Sequence, residues 1–199
     1  MSEARARLLA SASRLFYTEG LHSVGIDRVI ADAGVTRATL YRHFPGKDDL
    51  LVAYLTEVDK AIRAQVAAAR TATPGASPED VVQAVAATIA DGIRAPGFRG
   101  CAFLNAAAEY PDPAHPVHQA VLAHRQWFLD TVTELLADTG ETAPEPAARH
   151  FVMLRDGAMA AGCLTDPAPV CATFLLGVAG ILRYRDVPVA AGTKRRTRG

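Results

Sequence analysis

Apolar residues recur along the chain at helical spacing, and glycines and prolines cut that pattern into segments. Leu8, Ala12, Leu15 and Phe16 share one face of a first segment that begins near Ser2 and closes at Gly20, a residue suited to a left-handed end. Ile26, Val29 and Ile30 define a short helix closed by Gly34, and Thr36 is a fitting N-cap for another short helix from Arg37 to His43. Pro45 and Gly46 stop it. A long helix then starts at Lys47, where Leu50, Leu51, Tyr54, Leu55, Val58 and Ile62 follow the 3.6-residue period. Beyond the loop TATPGASP, helices are expected over Pro78 to Arg94, Cys101 to Glu109, Pro116 to Thr139, Pro144 to Gly162 and Pro167 to Arg183, with YPDPAHP and GETAPEP as breaks. The pattern predicts an all-α protein of about nine helices.

Two short helices joined by a Gly-containing turn, Ile26 to Gly34 and Arg37 to His43, make a helix-turn-helix. In that motif the second helix enters the major groove of DNA and the first crosses the backbone. Val35, Leu40 and Phe44 anchor the second helix inward, which turns Thr39, Arg42 and His43 outward with Arg37 and Tyr41 beside them. An arginine can grip guanine O6 and N7, a threonine can meet a thymine methyl or a phosphate, and a tyrosine hydroxyl suits a phosphate. Lys47, at the start of the long helix, opposes the local dipole and so serves phosphate binding better than helix stability.

Charge reinforces this picture. The totals balance at 21 basic and 21 acidic residues, yet residues 1–47 carry seven Lys/Arg against four Asp/Glu, residues 48–182 eight against sixteen, and residues 183–199 six against one. A basic head on an acidic body fits a molecule that presents one end to a polyanion. Three cysteines without a CxxC pairing, and an N-terminal stretch whose apolar residues are interrupted by charges, point to a reducing cytoplasm. The uncharged stretch from Ala168 to Leu182 is 15 residues long, short of the roughly 20 a spanning helix needs. No membrane partner is expected.

From Met1 to about Leu55 the string RLFYTEGLHSVGIDRVIADAGVTRATLYRHFPGKDDLLVAYL resembles the DNA-binding domain of TetR-family transcriptional regulators. That resemblance implies a homodimer with an N-terminal three-helix DNA-binding domain and a C-terminal helical domain that takes a small-molecule effector and dimerises through its last two long helices. It implies a repressor released from a palindromic double-stranded operator, with no cofactor and no enzymatic activity. An activator would share every DNA contact. Carried over by position, Thr36, Arg37, Thr39, Tyr41, Arg42, His43 and Lys47 contact DNA, with Arg28 on the preceding helix as a phosphate contact. Family members often have Ser or Thr where Gly25 stands, so that cap or contact is lacking here. The domains are expected at 1–46 for DNA binding and 47–187 for the body, followed by a basic, disordered tail at 188–199 that adds non-specific DNA attraction.

In the body, Phe98, Phe103, Leu104, Trp127, Phe128 and Phe151 are candidates to line an apolar effector pocket, with Asn105, Tyr110, His124 and Arg125 to orient the ligand. Gly177 and Gly180, with Ala172 and Ala179, permit close approach on the last helix. A dimer interface is therefore expected around Met159, Cys163, Phe174, Gly177, Val178 and Ile181. Glu109, Asp112, His115 and His118 lie among three prolines, in a loop that does not present ligands at helical spacing, so no metal site is expected. Nor does any spacing unite His115, His118, His124 or Cys101 into a nucleophile, base and orienting group.

Overall fold

A computed structural model of the protein describes residues 2–72 and 74–183. Nine helices make up the described residues: α1 (Glu3–Glu19), α2 (Ile26–Ala33), α3 (Arg37–His43), α4 (Lys47–Thr71), α5 (Pro78–Arg94), α6 (Ala102–Glu109), α7 (Pro116–Asp138), α8 (Pro144–Ala161) and α9 (Pro167–Arg183). Each expected helix is present, and its ends agree within a residue. The basic stretch 188–199 lies outside the described residues.

Local chemistry sets the boundaries. Ser2 caps α1 by accepting from the Arg5 N–H at 3.3 Å, and Ser77 with Asp80 forms a reciprocal capping box on α5. Proline opens α5, α7 and α8, where its missing N–H costs nothing. Gly34 ends α2 at φ 61°, ψ 42°, the left-handed conformation that lets the Val35 N–H return to the Ile30 carbonyl. Gly20 differs from the expected left-handed end: its φ of 95° and ψ of 155° open the chain outward while its N–H still reaches the Phe16 carbonyl.

Two apolar cores run through the fold. One gathers α1 to α4 with α6 and the start of α7, around Leu8, Phe16, Leu40, Leu51, Tyr54 and Phe103. The other fills the space among α5, α7, α8 and α9, around Val85, Phe128, Val132, Phe151, Phe174 and Val178. Ile62 of α4 and Met159 of α8 pack against both. The helix-turn-helix head thus shares its core with α6, and α4 continues from that core into the next.

Candidate DNA interface and inner chamber

Leu40 and Phe44 are buried, and their four-residue spacing fixes the outward face of α3. Thr36 is the N-cap: its hydroxyl accepts from the Thr39 N–H at 3.2 Å and lies 2.9 Å from the Thr39 hydroxyl. Both threonines therefore hold the helix start. Arg37 pairs with Asp27, Arg28 with Glu19 at 3.4 Å, and the His43 Nε2 with the Ser2 hydroxyl at 3.1 Å. These contacts are solvent-exposed, and exposed ion pairs are worth about 0–1 kcal/mol, so a phosphate can replace the carboxylate partners at little cost. Tyr41 and Arg42 are exposed and make no hydrogen bond or ion pair with any described residue. Arg5 of α1 lies 5.1 Å above the Phe44 ring and extends the positive surface.

Lys47 behaves differently from a free phosphate clamp. Its Nζ donates to the His22 carbonyl at 3.2 Å, and burial holds its pKa below the ordinary value of 10.5 against the pull of Glu109 and Asp48. It ties the start of α4 to the turn between α1 and α2. Glu109, at the end of α6, grips the same turn by accepting from the Leu21 N–H at 2.9 Å and the His22 N–H at 2.6 Å. His22 stacks on Tyr110 at 4.5 Å, and its Nε2 meets the Glu109 carbonyl at 2.7 Å. A second tie is the Tyr17 hydroxyl, which donates to the Gly100 carbonyl and accepts from the Arg99 N–H at 3.0 and 2.9 Å. Both histidines have structural partners: His115 caps α7 and approaches Asp48 at 3.3 Å, while His118 lies within the first turn of α7, not in the expected loop, and meets the Tyr110 carbonyl at 2.6 Å.

The body holds two adjoining pockets, a smaller one of about 80 Å³ and a larger, solvent-open one of about 310 Å³, whose walls share Ile62, Gly92, Arg155 and Met159. Phe128 lines the smaller and Phe98 the larger. The other pocket candidates lie elsewhere. Phe103 and His124 stack at 3.6 Å in the core, Trp127 sits beneath Arg63 at 4.0 Å, and Phe151 packs between Phe128 and Phe174. Leu104 packs on the first core, and Asn105 donates to the Arg99 carbonyl at 3.0 Å. The His124 Nδ1 is 2.7 Å from Asp59, and its buried Nε2 has no hydrogen-bond partner among the described residues. Burial pushes its pKa below the ordinary value despite Asp59. Sequence reasoning passed over Arg155, a buried cation on the chamber wall, because a lone arginine in an otherwise amphipathic helix reads as surface.

On α8 and α9, Phe174 and Val178 are buried in the second core and Met159 faces the two cavities. Cys163 is exposed, and Gly177 and Ile181 are half-buried. The large apolar residues left exposed on this side are Met153, Leu164 and Leu176, beside an apolar groove of about 430 Å³ floored by Leu154, Gly157, Ala158 and Ala161. None of the described helices is long and apolar enough to cross a membrane.

Comparison with known proteins bears on both parts. The family model described as bacterial regulatory proteins, tetR family, matches residues 8–54. The crystal structure of SCO4454, a TetR-family transcriptional regulator from Streptomyces coelicolor, is 68% identical, with a TM-score of 0.90 over 94% of this chain and 98% of that one. The regulator LmrA of Bacillus subtilis is 33% identical over 66 residues, 33% of this chain and 35% of that protein. The transcriptional activator FasR of Mycolicibacterium smegmatis is 39% identical over 72 residues, 36% of this chain and 33% of that protein. The match thus spans about a third of the length of these curated relatives.

Proposed function

The chain belongs to the TetR family of DNA-binding transcriptional regulators, and from that premise we propose that it is a homodimeric repressor, released from a palindromic operator when a small molecule enters the inner chamber. Residues 1–46 form the DNA-reading head and 47–187 the sensing and dimerising body. One observation supports the reading above the others: α3 is anchored by buried Leu40 and Phe44 while Arg42 and Tyr41 stand unpaired on its outer face. In a dimer, two such helices meet successive major grooves about 34–36 Å apart. Thr36, Arg37, Thr39, His43 and Arg28 complete the contact surface around them, and Lys47 joins it when a phosphate draws its Nζ from the His22 carbonyl. The chamber behind the head supports control by a ligand, which lowers DNA affinity by its own preference for the released conformer. Activation is the second reading, since the activator FasR is 39% identical over 72 residues and an activator would use the same DNA contacts.

Selection of bound duplexes from a random DNA pool tests the reader. The wild type should enrich a palindrome. Arg42→Ala should cost about 1–3 kcal/mol on that operator, as loss of a bidentate base contact does. Lys47→Ala should weaken operator and random DNA alike. Equal losses on both DNAs for Arg42→Ala would remove its base-reading role, and a transcript that falls when the regulator is deleted would replace repression by activation.

A further inference from the structure

Arg155 of α8 is 4% exposed and lines both inner cavities. Its Nη1 meets Asp156 Oδ1 at 2.9 Å, but the other oxygen of that carboxylate holds the Arg125 Nη2 at 2.8 Å. One carboxylate therefore serves two guanidiniums. Asp59, beside His124, is likewise committed, to Arg63 at 2.6 Å and to the imidazole at 2.7 Å. What remains around Arg155 is weak: the Cys101 sulfur 3.5 Å from Nη2, and the Phe128 ring at 5.0 Å. Arg125 and Arg63 reach solvent and are screened there, whereas Arg155 is not. A buried cation with a shared counter-ion is poorly compensated, and an incoming anion completes it.

The other polar groups on the walls favour the same guest. Tyr54 lines the larger cavity, is almost fully buried, and its hydroxyl makes no hydrogen bond with any described residue. Burial pushes its pKa well above the ordinary value of 10.0, so it stays an O–H donor. The Tyr17 and Thr88 hydroxyls are already spent on backbone groups, and Gln65 is at an exposed position. On the walls of these two cavities the polar groups left for a guest, among the described residues, are thus a cation and a donor, set among Ile62, Val66, Val85, Phe98 and Met159.

We propose that the chamber takes a small organic carboxylate with an apolar body, its carboxylate toward the Arg155 guanidinium and the Tyr54 hydroxyl. This rests on the reading of the chamber as the effector site. A ligand of the opposite charge meets the buried guanidinium with nothing to offset it, and a neutral one leaves it as it was.

Calorimetric titration of the full chain with phenylbutyrate, phenylbutanol and phenylbutylamine separates the classes. The acid should bind about tenfold or more tighter than the alcohol, as a charge-assisted contact predicts, and the amine weakest. Arg155→Met, close in length, should erase the preference while leaving alcohol affinity in place. Arg155→Lys, which keeps the charge, should retain part of the preference, and covers the case in which the methionine variant does not fold. Tyr54→Phe should weaken the acid several-fold. Equal affinity for the three probes, no saturable binding of the acid at millimolar concentration, or a preference that survives Arg155→Met overturns the proposal. Operator affinity in the same samples separates the two readings. Acid binding that leaves the operator bound sinks effector control and spares the ligand class, while release by the amine or alcohol alone does the reverse.

Discussion

If α8 and α9 carry the dimer interface, Leu176 is the residue whose loss should show it. Its side chain is 64% exposed on α9, on the side of the subunit that also exposes Met153 and Leu164. Leu→Ala removes three carbons, about 2.4 kcal/mol when fully buried at about 0.8 kcal/mol each. Scaled by the exposed fraction that a partner covers, that is about 1.5 kcal/mol. An isologous interface counts every substitution twice, so the dimer loses about 3 kcal/mol and its Kd rises roughly a hundredfold. Sedimentation equilibrium over a range of concentrations reads this directly. Leu122→Ala, at a residue 44% exposed on α7 away from the groove, serves as the control and should change nothing. Gly177 is the poorer probe, because a Cβ there would lie 2.8 Å from the Leu154 Cδ1 and disturb the subunit's own packing first. A Leu176→Ala dimer as tight as the wild type refutes the assignment of this face.

Two further outcomes follow from titratable groups. Burial holds the folded His124 pKa below its ordinary 6.5, so the unfolded chain binds more protons between those two values. Stability from this group is complete above pH 6.5 and declines as pH falls through the window below it. Melting curves on both sides of that pH should show the decline in the wild type and a flatter profile in His124→Gln; parallel profiles would mean that other groups carry it. Glu109→Gln keeps the shape of the α6 clamp but removes the charge that accepts the Leu21 and His22 N–H groups. It should cost about 1–2 kcal/mol of stability in chemical denaturation, and no loss would show that the clamp is idle.

How much of this was legible beforehand depends on the range of the cause. The helices are written in local chemistry, such as Thr36 before α3 and Gly34 after α2, and so is the outward face of α3, because Leu40 and Phe44 fix it by spacing alone. What those outward residues hold in the absence of DNA was hidden. The pairing of Arg37 with Asp27 and of Arg28 with Glu19 needs α1, α2 and α3 side by side. In the body, aromatic content was a poor guide to the chamber. Phe103 and Phe151 are as apolar as Phe98, but their helices turn them into ring stacks instead of toward the cavities. The same ambiguity affects α9, whose apolar run gives no period by which to separate the inward Phe174 and Val178 from the outward Leu176.

The chamber and the DNA-reading head are joined by the geometry of α4. Its 25 residues span about 37 Å at 1.5 Å per residue. Lys47 stands at the head end, and Tyr54, Val58 and Ile62 lie seven, eleven and fifteen residues along, all on the wall of the larger cavity. A guest that pushes on these side chains therefore acts on a rod whose far end is fixed to the α1–α2 turn through the Lys47 contact with the His22 carbonyl. That turn is gripped independently by Glu109 of α6, and α6 is tied back to the chamber through Cys101 and Ala102 on its wall. Two elements thus run from the cavity to one turn of the head. In the proposed dimer, a ligand that moved α4 and α6 together would carry the head as a body and change the separation of the two α3 helices. One that moves them apart strains the Lys47 and Glu109 contacts instead. Because both elements share the first core with α1 and α2, the joint motion leaves that core packed, and it is the less costly response.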